Sequence, residues 1–410
     1  MDVAVHTKFN VGGVLLDRPF KIRRLCHFGL NAYRMSDALH FYNDLLGFRI
    51  VDIQDAGRGG AVVPEEWKAF GDLNGYFFRY AHDHHAFVLY NHRLRGASDK
   101  RGRFREKVTI NQITWQVQSL AETVAGHDWF VQRGENVVRN GRDMPGSNWH
   151  TYLMDPEWHQ NELCYGMEQI GWDGHSKPRA MSTREFHKTP PLPQISEYEE
   201  VNQAIAAGVD LLSGFRDKES LPLKYDVQGV LLARPFKIVK HGPVNLFCED
   251  LEKMERWYRE GLGFIPSEEV VWNGHRSVFL RCGTEHHSVG LHPVALRKEL
   301  GLREDTSTAW FGIQLANYQQ LLDAQSFLKS HGVTLRELPP ELAPGMDHTI
   351  LALDPDGHAI QLYWSMEQIG WDGQPRPAAQ RRKIVQGSWP KQLEPNSDSF
   401  MGEPLLGPWG

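Results

Sequence analysis

The chain of 410 residues contains an internal duplication, and this feature constrains its fold more than any other. At 12–22 the sequence reads GGVLLDRPFKI, and at 228–238 it reads QGVLLARPFKI. The segment GMEQIGWDG at 166–174 returns as SMEQIGWDG at 365–373. Matches in the same order indicate a tandem repeat, and a chain of this length exceeds what one core usually fills. We therefore expect two similar domains.

The repeat sets the predicted domain limits. Pro190-Pro191, followed by an amphipathic stretch, marks a connector between the copies. The predicted segments are an N-terminal domain at 1–175, a connector with a helix at 176–227, a C-terminal domain at 228–373 and a C-terminal tail at 374–410.

Each copy divides again into two modules. In the first module, a strand is followed by a helix that Ser36 is expected to cap and Gly47 to end. Three β-rich runs follow, at 49–53, 75–80 and 86–90. This order predicts an α+β fold of tandem βαβββ modules, four modules in two domains. Each pair of modules is expected to form an open, cup-shaped sheet with its helices outside.

Helix caps mark the other modules. Ser119 and Glu122 form a capping box after the strand predicted at 109–117. Asp250 and Asn317 supply the corresponding caps in the second copy. All four modules therefore carry the same order of strand and helix.

Composition and charge exclude several classes of protein. The formal net charge is −6, and Lys and Arg are spread along the chain, so no basic stripe predicts nucleic-acid binding. The four cysteines are widely separated and form no C-x-x-C pair. The start, MDVAVHTKFN, has no secretory signal pattern, and no apolar run is long enough to cross a bilayer. We predict a cytoplasmic protein with no membrane or nucleic-acid partner.

Strand alternation predicts which side chains line the first cup. In the strand at 109–117, Gln112 and Thr114 belong to a polar row that alternates with apolar residues. Glu162 takes an inward position in the last strand, where a carboxylate is costly unless it is paired or bound to a metal.

The first strand supplies a third polar group. His27 is expected to share a face with Leu25 and Gly29, and the glycine leaves space beside the imidazole. His27, Gln112 and Glu162 can therefore converge inside the cup.

Three segments carry a resemblance to a known family. They read CHFGLNAYRMSDALHFYNDLLGF at 26–48, HDHHAFVLY at 82–90 and YLMDPEWHQNELCYG at 152–166. The chain resembles the type I extradiol ring-cleaving dioxygenases of the vicinal-oxygen-chelate superfamily over residues 20–170 and, more weakly, over 236–370.

The resemblance implies a metal site in the N-terminal copy. His27 and Glu162 match two of the family's three metal ligands, and Gln112 stands where the family has a second histidine. The implied metal is Fe(II), with Mn(II) or another divalent ion as the alternative. Glutamine is a ligand in the glyoxalase branch; Gln112 can instead be a polar cavity residue, with His85 or His150 supplying the nitrogen ligand.

The same resemblance implies the catalytic residues. His85 matches the family's acid/base histidine, and Tyr152 matches a tyrosine beside the substrate. Tyr152 and His150 are expected to donate hydrogen bonds to a developing oxyanion. The expected function is an extradiol-type dioxygenase that acts on a small catechol- or hydroquinone-like aromatic and O₂.

The second copy provides a control. Its positions equivalent to the three candidate ligands are Pro243, Trp310 and Gln361, so its metal site is predicted to be degenerate. The assignment is reversed from that of the dioxygenases, in which the C-terminal domain usually carries the metal.

Other functions remain open. The same scaffold also hosts metal-dependent isomerases or lyases like glyoxalase, and non-catalytic proteins that bind an aromatic ligand. The insertion at 91–107 is predicted as a solvated loop, with a lid over the cup or a subunit contact as alternatives. The sequence leaves the formation of a homo-oligomer open.

Overall fold

The structure is a computed structural model that describes residues 8–57, 62–142, 146, 148–171, 173–181, 185–186, 188–370 and 372–393. Two large mixed sheets, each flanked by helices, account for most of it, together with two short hairpins. The predicted α+β fold is confirmed. The predicted domain limits stay a prediction.

The first half contains a hairpin and a nine-stranded sheet. The hairpin strands are β1 (Phe9–Val11) and β2 (Val14–Leu16). The sheet strands are β3 (Arg24–Ala32), β4 (Arg49–Gln54), β5 (Gly75–Arg79), β6 (Phe87–Asn91), β7 (Ile110–Gln116), β8 (Val137–Arg142), β9 (Trp149–Met154), β10 (Gln160–Tyr165) and β11 (Glu185–Phe186). Their order is β11-β8-β9-β10-β7-β3-β6-β5-β4.

The second half repeats this plan with an eight-stranded sheet. Its hairpin strands are β12 (Tyr225–Val227) and β13 (Val230–Leu232). Its sheet strands are β14 (Ile238–Cys248), β15 (Ile265–Trp272), β16 (His275–Arg281), β17 (Val289–Pro293), β18 (Thr308–Leu315), β19 (Leu335–Glu337), β20 (Thr349–Leu353) and β21 (Ala359–Tyr363). Their order is β15-β16-β17-β14-β18-β21-β20-β19, which is the first sheet's order without β11.

Helices connect the strands in both halves. The α-helices are α1 (Met35–Leu39), α2 (His92–Ala97), α3 (Leu120–Gln132), α4 (Glu197–Ala206), α5 (Leu251–Arg256), α6 (Leu296–Glu299) and α7 (Tyr318–Ser330). Wider π-helical turns extend α1 over His40–Leu45 and α5 over Trp257–Leu262. Short 3₁₀ turns lie at Glu65–Phe70, Arg179–Met181, Leu211–Ser213, Pro340–Leu342 and Ala378–Gln380. No helix in the described part of the chain is long and apolar enough to span a bilayer.

The caps predicted for three of the four modules are confirmed. The side chain of Ser119 accepts a hydrogen bond from the amide of Glu122, and Asp250 and Asn317 cap their helices in the same way. The cap predicted at Ser36 is wrong, because α1 begins at Met35 without a side-chain cap of its own.

A carboxylate from the second half replaces the missing cap of α1. Asp356 Oδ2 accepts hydrogen bonds from the amides of Tyr33 at 2.7 Å and Arg34 at 3.3 Å. Such amides at a helix start need an acceptor, and a negative charge there is favoured by the helix dipole. In the reverse direction, Glu157 Oε1 accepts from the amide of Asp250 at 2.8 Å. Each half therefore supplies a carboxylate that accepts hydrogen bonds from backbone amides at the start of a helix in the other half.

The core lies between the backs of the two sheets. Phe28 of β3 stacks on Phe311 of β18 with ring centroids 4.3 Å apart, and Trp115 meets Phe264 at 4.8 Å. Side chains alternate along a strand, so each sheet has one face in this core and its other face toward the inside of its cup.

Candidate metal centre

Five side chains form a row across the first sheet. His27 of β3 lies opposite Thr114 of β7, which lies opposite Glu162 of β10. Glu162 pairs with Tyr152 of β9, and Tyr152 pairs with Arg139 of β8. Residues directly opposite each other on paired strands point to the same face, so register alone brings these side chains together.

A β-bulge corrects one expectation about this face. His27 and Leu25 were expected to share a face, but the register shifts between them. Leu25 pairs with Trp115 and joins the core between the sheets, whereas His27 faces the cup. A bulge inserts one residue into a strand and therefore reverses the alternation, which no periodic pattern reveals.

Short hydrogen bonds join the centre of the row. Thr114 Oγ1 lies 2.8 Å from His27 Nε2 and donates to Glu162 Oε2 at 2.6 Å. His27 Nε2 and Glu162 Oε2 are 3.3 Å apart, and Asn148 donates to the other carboxylate oxygen at 2.8 Å. All four side chains are buried. A buried carboxylate requires hydrogen-bond or charged partners, and Thr114, Asn148 and His27 supply them to Glu162.

Gln112 completes the group. Its side-chain amide lies 2.5 Å from His27 Nε2, and its Oε1 accepts from the Tyr152 hydroxyl at 3.4 Å. Gly29 is the strand neighbour of Gln112, and a Cβ at Gly29 would lie 2.5 Å from the Val88 side chain and 3.3 Å from that of Gln112. The glycine therefore leaves room first for Val88 and then for Gln112.

The charges of His27 and Glu162 stabilise each other. Burial alone would lower the pKa of His27, but Glu162 and a hydrogen bond to Cys26 raise it to about 9. Burial would raise the pKa of Glu162, but His27, His150 and Thr114 lower it to about 2. Without another cation the pair is therefore ionised, and a metal bound to His27 would have to displace its proton.

His85 lies against the centre of the row. Its ring centroid is 4.2 Å from that of His27, and its Nδ1 is 3.0 Å from Nδ1 of His84. Burial first, and then the neighbouring His27, lower the pKa of His85 well below its usual value. The second half repeats the contact, with His286 and His287 joined at 3.0 Å, so the histidine pair is a feature of the fold in both copies.

The two residues expected to donate to an oxyanion lie at different depths. Tyr152 lines the cavity in front of the row. His150 is buried, with its ring centroid 4.6 Å from that of Tyr152, and is not among the cavity's lining residues. Burial, and then Arg139, lower the pKa of His150 to about 3. His150 therefore packs against Tyr152 without bordering the cavity.

The donor set fits a divalent metal ion. Imidazole nitrogen, carboxylate oxygen and amide oxygen are all ligands for such ions. Ligand atoms of one octahedral ion lie about 3 Å apart, close to the 3.3 Å between His27 Nε2 and Glu162 Oε2. Within the described ranges, no group of three or more His, Cys, Asp or Glu side chains is placed to hold a metal. A metal here would therefore depend on Gln112, with its amide turned so that oxygen faces His27.

A cavity of about 420 Å³ opens in front of these residues. His27, Gln112 and His85 lie at one end of it. Its walls carry the aromatic residues Phe77, Tyr90, Phe104, Tyr152 and Trp158. The size is typical of small-molecule sites, but polar and charged side chains outnumber the apolar ones in the lining.

The insertion at 91–107 forms one wall of this cavity. Helix α2 and the loop after it contribute Arg95, Arg103 and Arg105 to the lining. Nine of the seventeen residues of the segment are exposed, as expected of a solvated loop, but the segment also contains helix α2 and borders the cavity, which fits the alternative of a cover over the cup. The arginine-rich sequence of this segment is the feature that could have indicated a role beside the cavity.

Two residues of the site, Asn148 and Trp158, were not predicted, and the role of a third, Thr114, was missed. Thr114 was placed in the polar row, but its bridge between two other side chains depends on register. Asn148 lies outside any strand, and no sequence pattern indicates its bond to Glu162. Trp158 could have been found, because it stands where the second copy has Gly357; its φ of 72° is one that glycine tolerates best.

Comparisons with known proteins agree with this architecture. Residues 240–362 match the model of the Glyoxalase/Bleomycin resistance protein/Dioxygenase superfamily. A search of curated protein sequences found no match.

Solved structures show the same fold. The 2,3-dioxygenase LapB from Pseudomonas sp. KL28 is 16% identical, with a TM-score of 0.53 over 87% of this chain and 96% of that one. Homoprotocatechuate 2,3-dioxygenase from Arthrobacter globiformis is also 16% identical, with a TM-score of 0.53 over 90% and 87%. The Mn(II)-bound glyoxalase from Novosphingobium aromaticivorans is 15% identical, with a TM-score of 0.52 over 86% and 85%. Residues 240–362 thus match the superfamily model, and the chain as a whole is similar in fold to these solved structures.

Proposed function

We propose that the chain is a metal-dependent dioxygenase of the extradiol type that acts on a small catechol- or hydroquinone-like aromatic and O₂. The observation that carries the proposal is the buried group of His27, Gln112, Thr114 and Glu162, of which His27 and Gln112 border a cavity with aromatic residues in its walls. A buried ionised pair whose histidine borders a cavity is costly for stability and is typical of functional sites.

His27, Gln112 and Glu162 would hold the metal, Fe(II) or Mn(II). When bound, such an ion supplies a Lewis acid with open positions for substrate oxygens and O₂. Because Glu162 is the only anion among the three, the loaded site keeps a net positive charge. That charge favours an ionised hydroxyl group over an uncharged one.

The remaining residues would position the ring and move protons. His85, packed on His27, can accept a proton from a substrate hydroxyl and return it later. Tyr152 lines the cavity and can donate a hydrogen bond to an oxygen that becomes negative. His150 would keep Tyr152 in place from behind.

Metal content and oxygen consumption test the proposal together. Protein purified without oxygen is expected to contain about one equivalent of iron or manganese and to consume O₂ with at least one member of a catechol and hydroquinone panel. Stoichiometric metal with no O₂ uptake from any member contradicts the dioxygenase. Protein that binds no divalent metal contradicts every metal-dependent function.

A second candidate is an isomerase or lyase like glyoxalase, and Gln112 favours it because an amide ligand donates less charge to the metal than imidazole does. Such an enzyme would convert its substrate without O₂, so turnover in an anaerobic chamber separates the two. A third candidate, a protein that only binds an aromatic ligand, is favoured by the Thr114 hydroxyl, which already joins His27 and Glu162. Metal-free protein that still binds catechols would support it.

A further inference from the structure

The wall of the cavity formed by the insertion is strongly cationic. Six of the described residues that line the cavity carry a positive charge, five from the insertion and one from strand β8: Arg95, Lys100, Arg101, Arg103, Arg105 and Arg139. Among the lining residues that the structure describes, Asp99 is the only carboxylate. The chain as a whole has a net charge of −6, so this concentration of cations is local.

Most of these arginines have no acidic partner. In the described part of the chain, no carboxylate oxygen lies within 4.0 Å of the guanidinium groups of Arg95, Arg101, Arg103 or Arg105. Arg105 donates to two backbone carbonyls of its own loop at 2.8 Å, and the buried Nε of Arg103 has no hydrogen-bond partner.

Asp99 contributes one negative charge, which is too little to balance six cations, and its carboxylate also holds the loop. It accepts hydrogen bonds from the backbone amides of Arg101 at 3.0 Å and Phe104 at 2.6 Å.

Several arginines elsewhere in the described part of the chain have a carboxylate partner. Arg24 with Asp83, Arg142 with Glu200 and Arg276 with Glu255 form ion pairs at 2.6, 3.2 and 2.8 Å. Clustering several guanidinium groups without counter-charges is unfavourable. An anionic ligand would supply the missing charge.

We propose that this cationic wall is a carboxylate-binding subsite, and that the chain acts on an aromatic acid. Guanidinium groups match carboxylates with paired, charge-assisted hydrogen bonds. Aromatic side chains lie beside the cations, with Arg139 4.6 Å above the Tyr152 ring and Arg105 3.9 Å above the Trp158 ring. Tyr152 also reaches Gln112, so one ring between these walls would have its carboxylate at the arginines and its other substituents toward His27.

The inference names the substrate class of the proposed function and rests on it for the ring's hydroxyl groups, but not for the carboxylate. Binding can therefore be measured apart from turnover. The probes are phenylacetate, which has no hydroxyl group to oxidise, and its uncharged methyl ester, titrated calorimetrically into full-length protein with and without Mn(II).

Phenylacetate is expected to bind at least about tenfold more tightly than the ester, because hydrogen bonds to charged groups contribute more than neutral ones. Arg95→Gln and Arg103→Gln should each remove most of this preference, with unchanged melting temperature as evidence of folding. Arg93→Gln is the matched control, since Arg93 lies on the same helix α2 but does not line the cavity. It should leave the preference intact.

Equal binding of acid and ester, or full acid binding by both variants, would overturn the proposal. Inorganic phosphate at equal ionic strength should displace phenylacetate poorly, and equal displacement would show that the wall recognises phosphate groups instead. If phenylacetate binds as expected but no catechol supports O₂ uptake, the subsite stands and the dioxygenase fails. If a catechol supports O₂ uptake but phenylacetate binds no better than its ester, the dioxygenase stands and the subsite fails.

Discussion

The two cups of this protein have one topology and opposite interiors. In the first, the row His27–Thr114–Glu162 is polar, and His27 borders a cavity of about 420 Å³. In the second, the corresponding interior is filled by an apolar cluster that includes Phe247, Trp310, Leu351, Tyr363 and Met366. The same sheet order therefore makes a candidate site in one copy and a core in the other.

Backbone differences accompany the change of side chains. In the second cup, Gly312 takes the place of Thr114, and a Cβ there would overlap the carbonyl oxygen of Gly242. Gln361 takes the place of Glu162, and neither polar atom of its amide has a hydrogen-bond partner among the described residues. No single substitution can therefore create the site in the second cup. Exchanging residues between the copies shows which of them the site in the first cup requires.

The largest expected effect comes from making the first cup resemble the second at its carboxylate. Glu162→Gln should lower metal affinity by more than about 100-fold, because loss of a ligand costs more than loss of the groups around it. Metal content after anaerobic dialysis is the measurement. Glu162→Gln protein that keeps stoichiometric metal would remove Glu162 from the site.

The converse substitution should not create a site. Gln361→Glu places a carboxylate in the apolar cup, where Pro243 and Trp310 offer no ligand. A buried unpaired charge costs several kcal/mol, so we expect a loss of about 3–5 kcal/mol in the free energy of unfolding at neutral pH and no bound metal. Urea denaturation measures it, and gain of metal would contradict the comparison.

The next effect concerns the hydroxyl that bridges the ion pair. Thr114→Val keeps the shape but leaves buried polar atoms without a partner, so metal-free protein should lose about 1–3 kcal/mol of unfolding free energy. Thr114→Ser keeps the hydroxyl and serves as the control. Equal stability of the two variants in urea would mean that the bridge contributes nothing to the fold.

Trp158 allows the two copies to be compared at one turn. Trp158 has a φ of 72°, and its counterpart Gly357 has a φ of 86°. Trp158→Gly should change the unfolding free energy by less than about 1 kcal/mol, because relief of backbone strain offsets the lost contacts, whereas typical truncations of tryptophan cost about 3–5 kcal/mol. Binding of an aromatic ligand should weaken several-fold. A large loss of stability with unchanged binding would show that the indole serves the fold.

The smallest effect is a pH dependence at the same turn. Burial lowers the pKa of His159, but Asp155 at 2.8 Å raises it more, so the folded value lies above the usual one. Stability from this pair is therefore fully present below about pH 6.5 and is lost as pH rises through the folded pKa. His159→Gln should destabilise the protein more at about pH 6 than at about pH 9. An equal difference at both values would contradict this pairing.

Much of the fold could be predicted from the sequence because it depends on local and periodic signals. The duplication, the caps at Ser119, Asp250 and Asn317, and the polar row at Gln112 and Thr114 are all visible in the chain. The start of α1 was misplaced because its cap, Asp356, comes from the other half of the molecule. The π-helical turns in α1 and α5 left no signal in the hydrophobic pattern.

The sequence by itself determined that two copies of one architecture exist and that only the first has metal-ligand residue types at His27, Gln112 and Glu162. Tertiary structure decided how they meet, because a bulge beside His27 and the register of four strand pairs set which side chains share a face. It also decided that the insertion at 91–107 borders the cavity with arginines. Register and loop position depend on partners far away in the chain, so neither can be read from spacing alone.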